Sequence, residues 1–302
     1  MTEFGNIHQF AEFLKEHRKN KILPYNIDYP VLVTGEEGVG KSLLAIFLAH
    51  KMDPNFDINN ICFRTTEYIK FQLNSKFFYS IKKDMPQWYT GQVKPGSAIV
   101  FDEAGTQAYA RNFYSPENIE LNKVFIGGRA LNLIHFLLVP KPGSIDQYLR
   151  EERTKMFIHT YMTPSWERRC MVFLRGYGTI NRIINTPKWQ LIFSDHREMR
   201  RRFKPDGDFS IPDLRMPEMI PRQLLLQYET KKKRFVFDLL YGAVNKIENN
   251  DRVDVILQDI LKLDIPVNEQ VDEFKKRTEK SFGKSMDRAT FFRRRKRITK
   301  TF

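Results

Sequence analysis

Residues 35–42 read GEEGVGKS and follow the apolar run PVLVT at 30–34. Gly35, Gly40, Lys41 and Ser42 fill every fixed position of G-x-x-x-x-G-K-[ST]. The spacing has a physical logic. Glycines let the backbone curl until successive N–H groups face one phosphate, and the helix that follows adds its positive N-terminal end. Gly35, Gly38, Val39, Gly40, Lys41 and Ser42 are therefore the candidate nucleotide cradle. In it Lys41 reaches the β- and γ-phosphates and Ser42 ligates Mg²⁺. Glu36 and Glu37 have no part in that contact and are expected to point outward. The run SLLAIFLAHKM (42–52) suits a helix in its Leu and Ala content. Strand, glycine turn and helix thus follow in the order the motif needs.

The next element outward is AIVFDEAG at 98–105, an apolar strand ending in Asp102 and Glu103. Beside a phosphate loop, Asp102 would hold the Mg²⁺ shell and Glu103 would orient and deprotonate an attacking water. Alone, such a pair also serves as a plain helix cap. With the loop, it points to ATP and Mg²⁺ as cofactors and to hydrolysis rather than transfer to a small molecule. Further β-rich runs are NICFRT (60–65), LIHFLLV (133–139), MFIHTY (156–161) and CMVFLR (170–175), with helix-compatible segments between several of them. That alternation predicts an α/β fold, a RecA-like P-loop NTPase core whose mostly parallel sheet is flanked by helices. IHQFAEFLKEHRKN (7–20) places Ile7, Phe10, Phe13 and Leu14 at helical spacing. Four prolines, at 205, 212, 217 and 221, mark a linker or an extended arm crossing the core surface. The expected organisation is an N-terminal helix within 1–25, a core over 26–202, a Pro-rich linker over 203–222 and a small helical, basic domain over 223–302.

Composition narrows the function classes. The chain has 302 residues, 28% of them charged, 25 Phe and a formal net charge of +14. Only Cys62 and Cys170 are present, too few and too far apart for a disulfide framework or a structural zinc site. The longest apolar run, LIHFLLV, is far short of a membrane span. A cytoplasmic protein, or one in a host's cytoplasm if viral, is expected, with no membrane insertion. The positive excess favours polyanionic partners, nucleic acid first and anionic membrane second. Residues 268–302 hold twelve Lys or Arg against five Asp or Glu, a net +7, so half the excess lies there.

The run GGRALNLIHFLLVPKPGSIDQYLREERTKMFIHTY (127–161) resembles the corresponding part of the FtsK/HerA superfamily of DNA-pumping ATPases, which includes chromosome translocases, conjugation motors and viral genome-packaging ATPases. The counterparts of that group's motif residues are Arg129, Ala130, Ile134 and His135, with Pro142 and Asp146 beyond. The resemblance implies that Arg129 acts as an arginine finger across a subunit boundary, in a homo-oligomeric ring, perhaps of six. It also implies DNA as the load, with viral or plasmid partner proteins. The plainer alternative is a surface arginine at a helix end. Where the group carries a Gln that senses the γ-phosphate, this chain has Lys141, a cation with no acceptor. Arg111 is a second basic candidate just past the acidic pair.

At the C-terminus, NEQVDEFKKRTEKSFG (268–283) puts Val271, Phe274 and Thr278 on one side and stops at Gly283. GKSMDRATFFRRRKRITKTF (283–302) follows, with Ser285 or Asp287 as cap and Arg288, Arg293, Arg294, Arg295, Lys296 and Arg297 along it. Helix, glycine turn and basic helix resemble a helix-turn-helix DNA-binding unit. Counting from Phe291, Arg295 falls where an apolar anchor is usual, and Phe292 is the expected substitute. A non-specific electrostatic arm, RNA or membrane contact and a solubilising tail are the alternatives. Together these features predict an ATP-hydrolysing DNA translocase or packaging motor. The rival readings are an initiator- or loader-type ATPase that binds one DNA site and a DNA-binding regulator with ATP as a switch.

Overall fold

In the computed structural model, residues 4–102, 123–124, 127–175, 179–193, 195–261, 263, 266–283 and 285–298 are described. The chain divides into two compact units, Met1–Thr230 and Lys231–Phe302.

The first unit is built around β1 (Tyr29–Gly35), which is buried along its whole length. A strand with no polar face belongs in the middle of a sheet covered on both sides. Its partners are β2 (Ile61–Cys62), β3 (Ala98–Phe101), β4 (Ile134–Leu138), β5 (Met156–Met162), β6 (Arg168–Leu174) and β7 (Gly207–Ser210). Among the described residues these form one sheet in the order β2-β3-β4-β1-β5-β6-β7. The first five pair in parallel, whereas β5–β6 and β6–β7 are antiparallel. The switch has a local cause. Only residues 163–167 join β5 to β6, too few for the crossover that a parallel pair requires. They close as a turn, with Thr163 N–H donating to the Glu167 carbonyl at 2.9 Å. The fold is thus α/β, a RecA-like core with a mostly parallel sheet, followed by a helical C-terminal region.

Helices cover both faces. On one, α1 (Ile7–His17) packs against α2 (Lys41–Met52), and α2 lies on β1, β3 and β4. Asn6 caps α1 by accepting from the Gln9 N–H, and Ile7, Phe10, Ala11 and Leu14 form its buried face. The other face gathers Leu32, Phe101, Leu137, Phe157 and Phe173 with Tyr68 of α3 (Thr65–Leu73), Ile180 and Ile183 of α4 (Thr179–Ile184) and Trp189 of α5 (Trp189–Ile192). After α6 (His196–Arg202) comes the Pro-rich stretch, whose Phe209 meets Phe10 of α1 with ring centroids 5.5 Å apart. Its β7 completes the sheet edge, and Ile211, Leu214, Met219 and Ile220 are buried. Cys62 and Cys170 are buried and form no disulfide.

The helix α7 (Arg222–Leu261) begins in the first unit and supplies the first part of the second. In the second unit, Val253, Leu257 and Ile260 of α7 meet Val271 and Phe274 of α8 (Val267–Phe282) and Phe291 of α9 (Arg288–Ile298). Each such buried side chain stabilises by about 2 kcal/mol. Gly283 ends α8 in the left-handed conformation that glycine tolerates, at φ 69°. The Asp287 carboxylate caps α9, accepting from the Thr290 N–H at 2.7 Å. Phe291 fills the core position, whereas Phe292, the expected substitute anchor, is 39% exposed. Phe291 meets Phe274 edge-on at 5.4 Å and leaves its neighbour on the outer side.

Candidate nucleotide site

Three glycines shape the loop between β1 and α2, with positive φ of 138° at Gly35, 78° at Gly38 and 96° at Gly40. Other residues adopt such conformations only under strain. Gly40 precedes α2 without any side-chain cap, so the first N–H groups of the helix are left to a ligand. Val39 is buried, and Glu36 and Glu37 are exposed. The Lys41 ammonium folds back over the loop, donating to the carbonyls of Gly35 at 2.7 Å and Glu36 at 2.6 Å.

Asp102 follows β3 and is 3% exposed. The sequence reading sets its strand beside the loop strand, but β4 lies between β3 and β1. The gap is closed by α2, which crosses β4 to β3. It brings the Ser42 hydroxyl to Asp102, donating to Oδ1 at 3.1 Å. A hydroxyl and one carboxylate at this spacing suit Mg²⁺, a hard cation that takes its remaining ligands from phosphate and water. Among the described residues no group of three or more His, Cys, Asp and Glu gathers as a protein-only metal cage. Glu103 and Arg111 lie outside the described residues.

Other predicted residues are distributed unequally. Lys141 is exposed just past the C-terminal end of β4, at the loop's end of the sheet. There the Pro140 carbonyl accepts from the Gly35 N–H at 3.3 Å. Arg129 is exposed in a short 3-10 turn, Gly128–Leu131, before β4 begins. Because β4 runs parallel to β1, Arg129 and the phosphate loop occupy opposite ends of the sheet, separated by roughly 17 Å of strand. One chain does not bring Arg129 to its own Lys41. Arg129 instead lines a pocket of about 670 Å³ with Asp28, Arg153 and Lys155. Burial lowers the Lys155 pKa, and Arg175, Arg153 and Arg129 push it the same way. Asp28 opposes them, and its carboxylate also pairs with the Arg153 guanidinium.

Of the basic C-terminal set, Arg288, Arg293 and Lys296 are exposed, and Arg294 and Arg295 are half-buried. Arg294 pairs with Asp254 at 2.7 Å. The Arg297 side chain lies outside what is described.

Three neighbours of the site carry no sequence signal. Arg168, at the start of β6, lies beside Gly40. Tyr228 of α7 donates to Asp102 Oδ2 at 2.9 Å. His159, behind the loop, shares a hydrogen bond with the Thr34 hydroxyl at 3.0 Å through Nδ1. Burial, helped by His196 and Lys41, lowers the His159 pKa from 6.5 to about 4. The unfolded chain therefore binds more protons between these values. The contribution of His159 to stability is expected to be full above pH 6.5 and to be lost toward pH 4, roughly 3 kcal/mol in all. His159→Gln is expected to flatten this limb of the urea-midpoint profile, and an unchanged profile would reject the assignment.

No protein-family model and no curated protein matches the chain. Among solved structures it is similar to the N-terminal domain of zonular occludens toxin from Neisseria meningitidis. That likeness has 19% identity and a TM-score of 0.32, over 49% of this chain and 84% of the other. It is partial, and no functional reading rests on it. Among the described residues no helix is long and apolar enough to cross a membrane.

Proposed function

We propose that the chain is an ATPase that couples hydrolysis of Mg·ATP to the movement or packaging of DNA, working as a homo-oligomeric ring. The observation that carries the reading is the meeting of Ser42 Oγ with Asp102 Oδ1 at 3.1 Å beneath a glycine loop that already holds the Lys41 ammonium. Lys41 exchanges its loop carbonyls for phosphate oxygens, and the uncapped start of α2 receives the β-phosphate. Ser42 and Asp102 would hold Mg²⁺, which would supply charge neutralisation between the phosphates. Glu103 takes the proton of the attacking water, and Lys141 contacts the γ-phosphate from the end of β4. Arg129 of a neighbouring copy completes the site. Its distance from its own Lys41 leaves Arg129 open to a role in trans and supports that part of the reading. Exposed Phe237, Leu240, Val244 and Ile247 on α7 follow the 3-4-3 spacing of a helix-pairing seam and support self-association.

The DNA part rests on α9, whose Arg288, Arg293 and Lys296 face solvent. Long duplex DNA of arbitrary sequence is expected to stimulate hydrolysis strongly. Changing those three residues together to Ala should reduce the slope of log affinity against log salt by about 2 to 3, close to one unit per lost phosphate contact. An unchanged slope would remove α9 from the DNA contact. The helix–glycine turn–helix of α8 and α9, with Phe291 in its core, favours one second reading, an initiator that recognises a specific site. Stimulation by one sequence alone would choose that reading over the motor.

A further inference from the structure

The carboxylate of Asp102 has two oxygens, and the phosphate-loop chemistry accounts for one of them. Oδ1 accepts from Ser42. Oδ2 accepts from the Tyr228 hydroxyl at 2.9 Å, in a contact buried from solvent and spanning 126 residues of sequence. Tyr228 is 5% exposed, and its ring stacks on Phe63 with centroids 6.0 Å apart and planes 21° from parallel. Phe63 follows β2 directly, and the backbone of that strand also holds Asp102, whose N–H donates to the Cys62 carbonyl at 2.9 Å. Asp102 is therefore fixed at its main chain by β2 and at its side chain from two directions. One of those directions is the first turns of α7.

We infer that Tyr228 is a positioning residue for the Mg²⁺ site, orienting the Asp102 carboxylate so that Oδ1 faces the metal shared with Ser42. The assignment rests on the P-loop ATPase reading above. A carboxylate that binds a metal through one oxygen needs the other held, because rotation about its last bond carries the ligand out of line. Partners of this kind change metal affinity or activity by roughly 10- to 100-fold when removed. The same hydrogen bond makes the docking of α7 at Tyr228 sensitive to the state of the metal site.

The test is a Mg²⁺ titration of nucleotide binding by the full chain, read by a fluorescent ATP analogue, with EDTA as the metal-free reference. Tyr228→Phe removes one oxygen and keeps the ring on Phe63. It is expected to bind the analogue in EDTA as the wild type does. Its Mg²⁺ half-saturation should lie roughly tenfold higher. A half-saturation within about twofold of wild type overturns the assignment, taking tenfold as the size that a lost orienting partner produces. The Asp102→Asn chain gives a second measure. Tyr228→Phe added to it produces no further shift if the tyrosine acts through the carboxylate, and an added shift overturns the inference. Lys41→Ala, run in parallel, separates the two levels. Wild-type binding by Lys41→Ala sinks the phosphate-loop reading itself. Lost binding there, beside a wild-type Mg²⁺ titration for Tyr228→Phe, sinks the tyrosine role alone.

Discussion

Lys41→Ala is expected to lower ATP hydrolysis by at least about 100- to 1,000-fold and to weaken nucleotide binding severely, with the fold intact. The size follows from what the ammonium does. It is held by the Gly35 and Glu36 carbonyls, at 2.7 and 2.6 Å, and so sits over the concavity of the glycine loop. Each hydrogen bond it transfers to a phosphate oxygen is charge-assisted and contributes about 1.5–3 kcal/mol. Two of them account for a loss of two orders of magnitude or more, since 1.4 kcal/mol is close to a factor of ten. Lys41 lies at the partly exposed start of α2, away from the buried core, so far-ultraviolet circular dichroism should be unchanged. Hydrolysis at the wild-type rate would place the chemistry elsewhere.

The same variant reports on assembly. In the proposed ring, an active site uses Lys41 of one copy and Arg129 of the next. Mixing Lys41→Ala with Arg129→Ala chains then creates some boundaries with both groups intact, and part of the activity returns. No return, in mixtures shown to co-assemble, would leave Arg129 as a residue of its own pocket with Asp28 and Arg153. That pocket has a structural reason to exist. Asp28 accepts from the Arg153 guanidinium and contacts His135 Nε2 at 2.8 Å, and His135 Nδ1 contacts the Tyr68 hydroxyl at 2.7 Å. A buried chain of this kind ties α3, β4 and the entry to β1 together whether or not Arg129 reaches a neighbour.

What was legible in the sequence divides along a physical line. The strand, glycine loop and helix order of β1 and α2 was legible because such a loop needs glycines at fixed short spacing, after a strand apolar on both faces. Asp102 was legible as the acidic end of a second such strand. The insertion of β4 between β1 and β3 was not, since strand order is a property of crossovers and leaves no local mark. β7 was hidden for a different reason. It is four residues long, begins with Gly207 and Asp208, and lies between Pro205 and Pro212. Composition therefore argues against a strand, which forms because β6 offers it an edge. Phe291 and Phe292 are chemically alike, and only the rotation of α9 on Phe274 decides which is buried. Tyr228 lies in the ordinary helical run QLLLQYETKKK (223–233), and its role exists only once Asp102 arrives from 126 residues away.

Gly35→Ala is expected to be among the most damaging single substitutions in the core, larger in its effect on folding than any change at Lys41. Two costs combine there. The backbone is at φ 138°, where an L side chain is strained by about 1–3 kcal/mol. In addition, a Cβ on Gly35 would fall well under 3.0 Å from both the carbonyl and the hydroxyl oxygen of Thr160, its partner on β5. That carbonyl belongs to a central strand paired on both sides, so it cannot give way without disturbing the pairing of β5 with β1 and β6. Together the costs reach several kcal/mol, a large fraction of the 5–15 kcal/mol by which ordinary domains are stable. Gly38→Ala is the matched control. Gly38 has φ 78° but no atom within 4 Å of a built Cβ, so only the backbone strain applies, about 1–2 kcal/mol. Thermal unfolding should show Gly38→Ala melting modestly lower and Gly35→Ala unfolded or insoluble at room temperature. Equal melting temperatures for the two would mean that the contact with Thr160 is not what fixes glycine at the mouth of the loop.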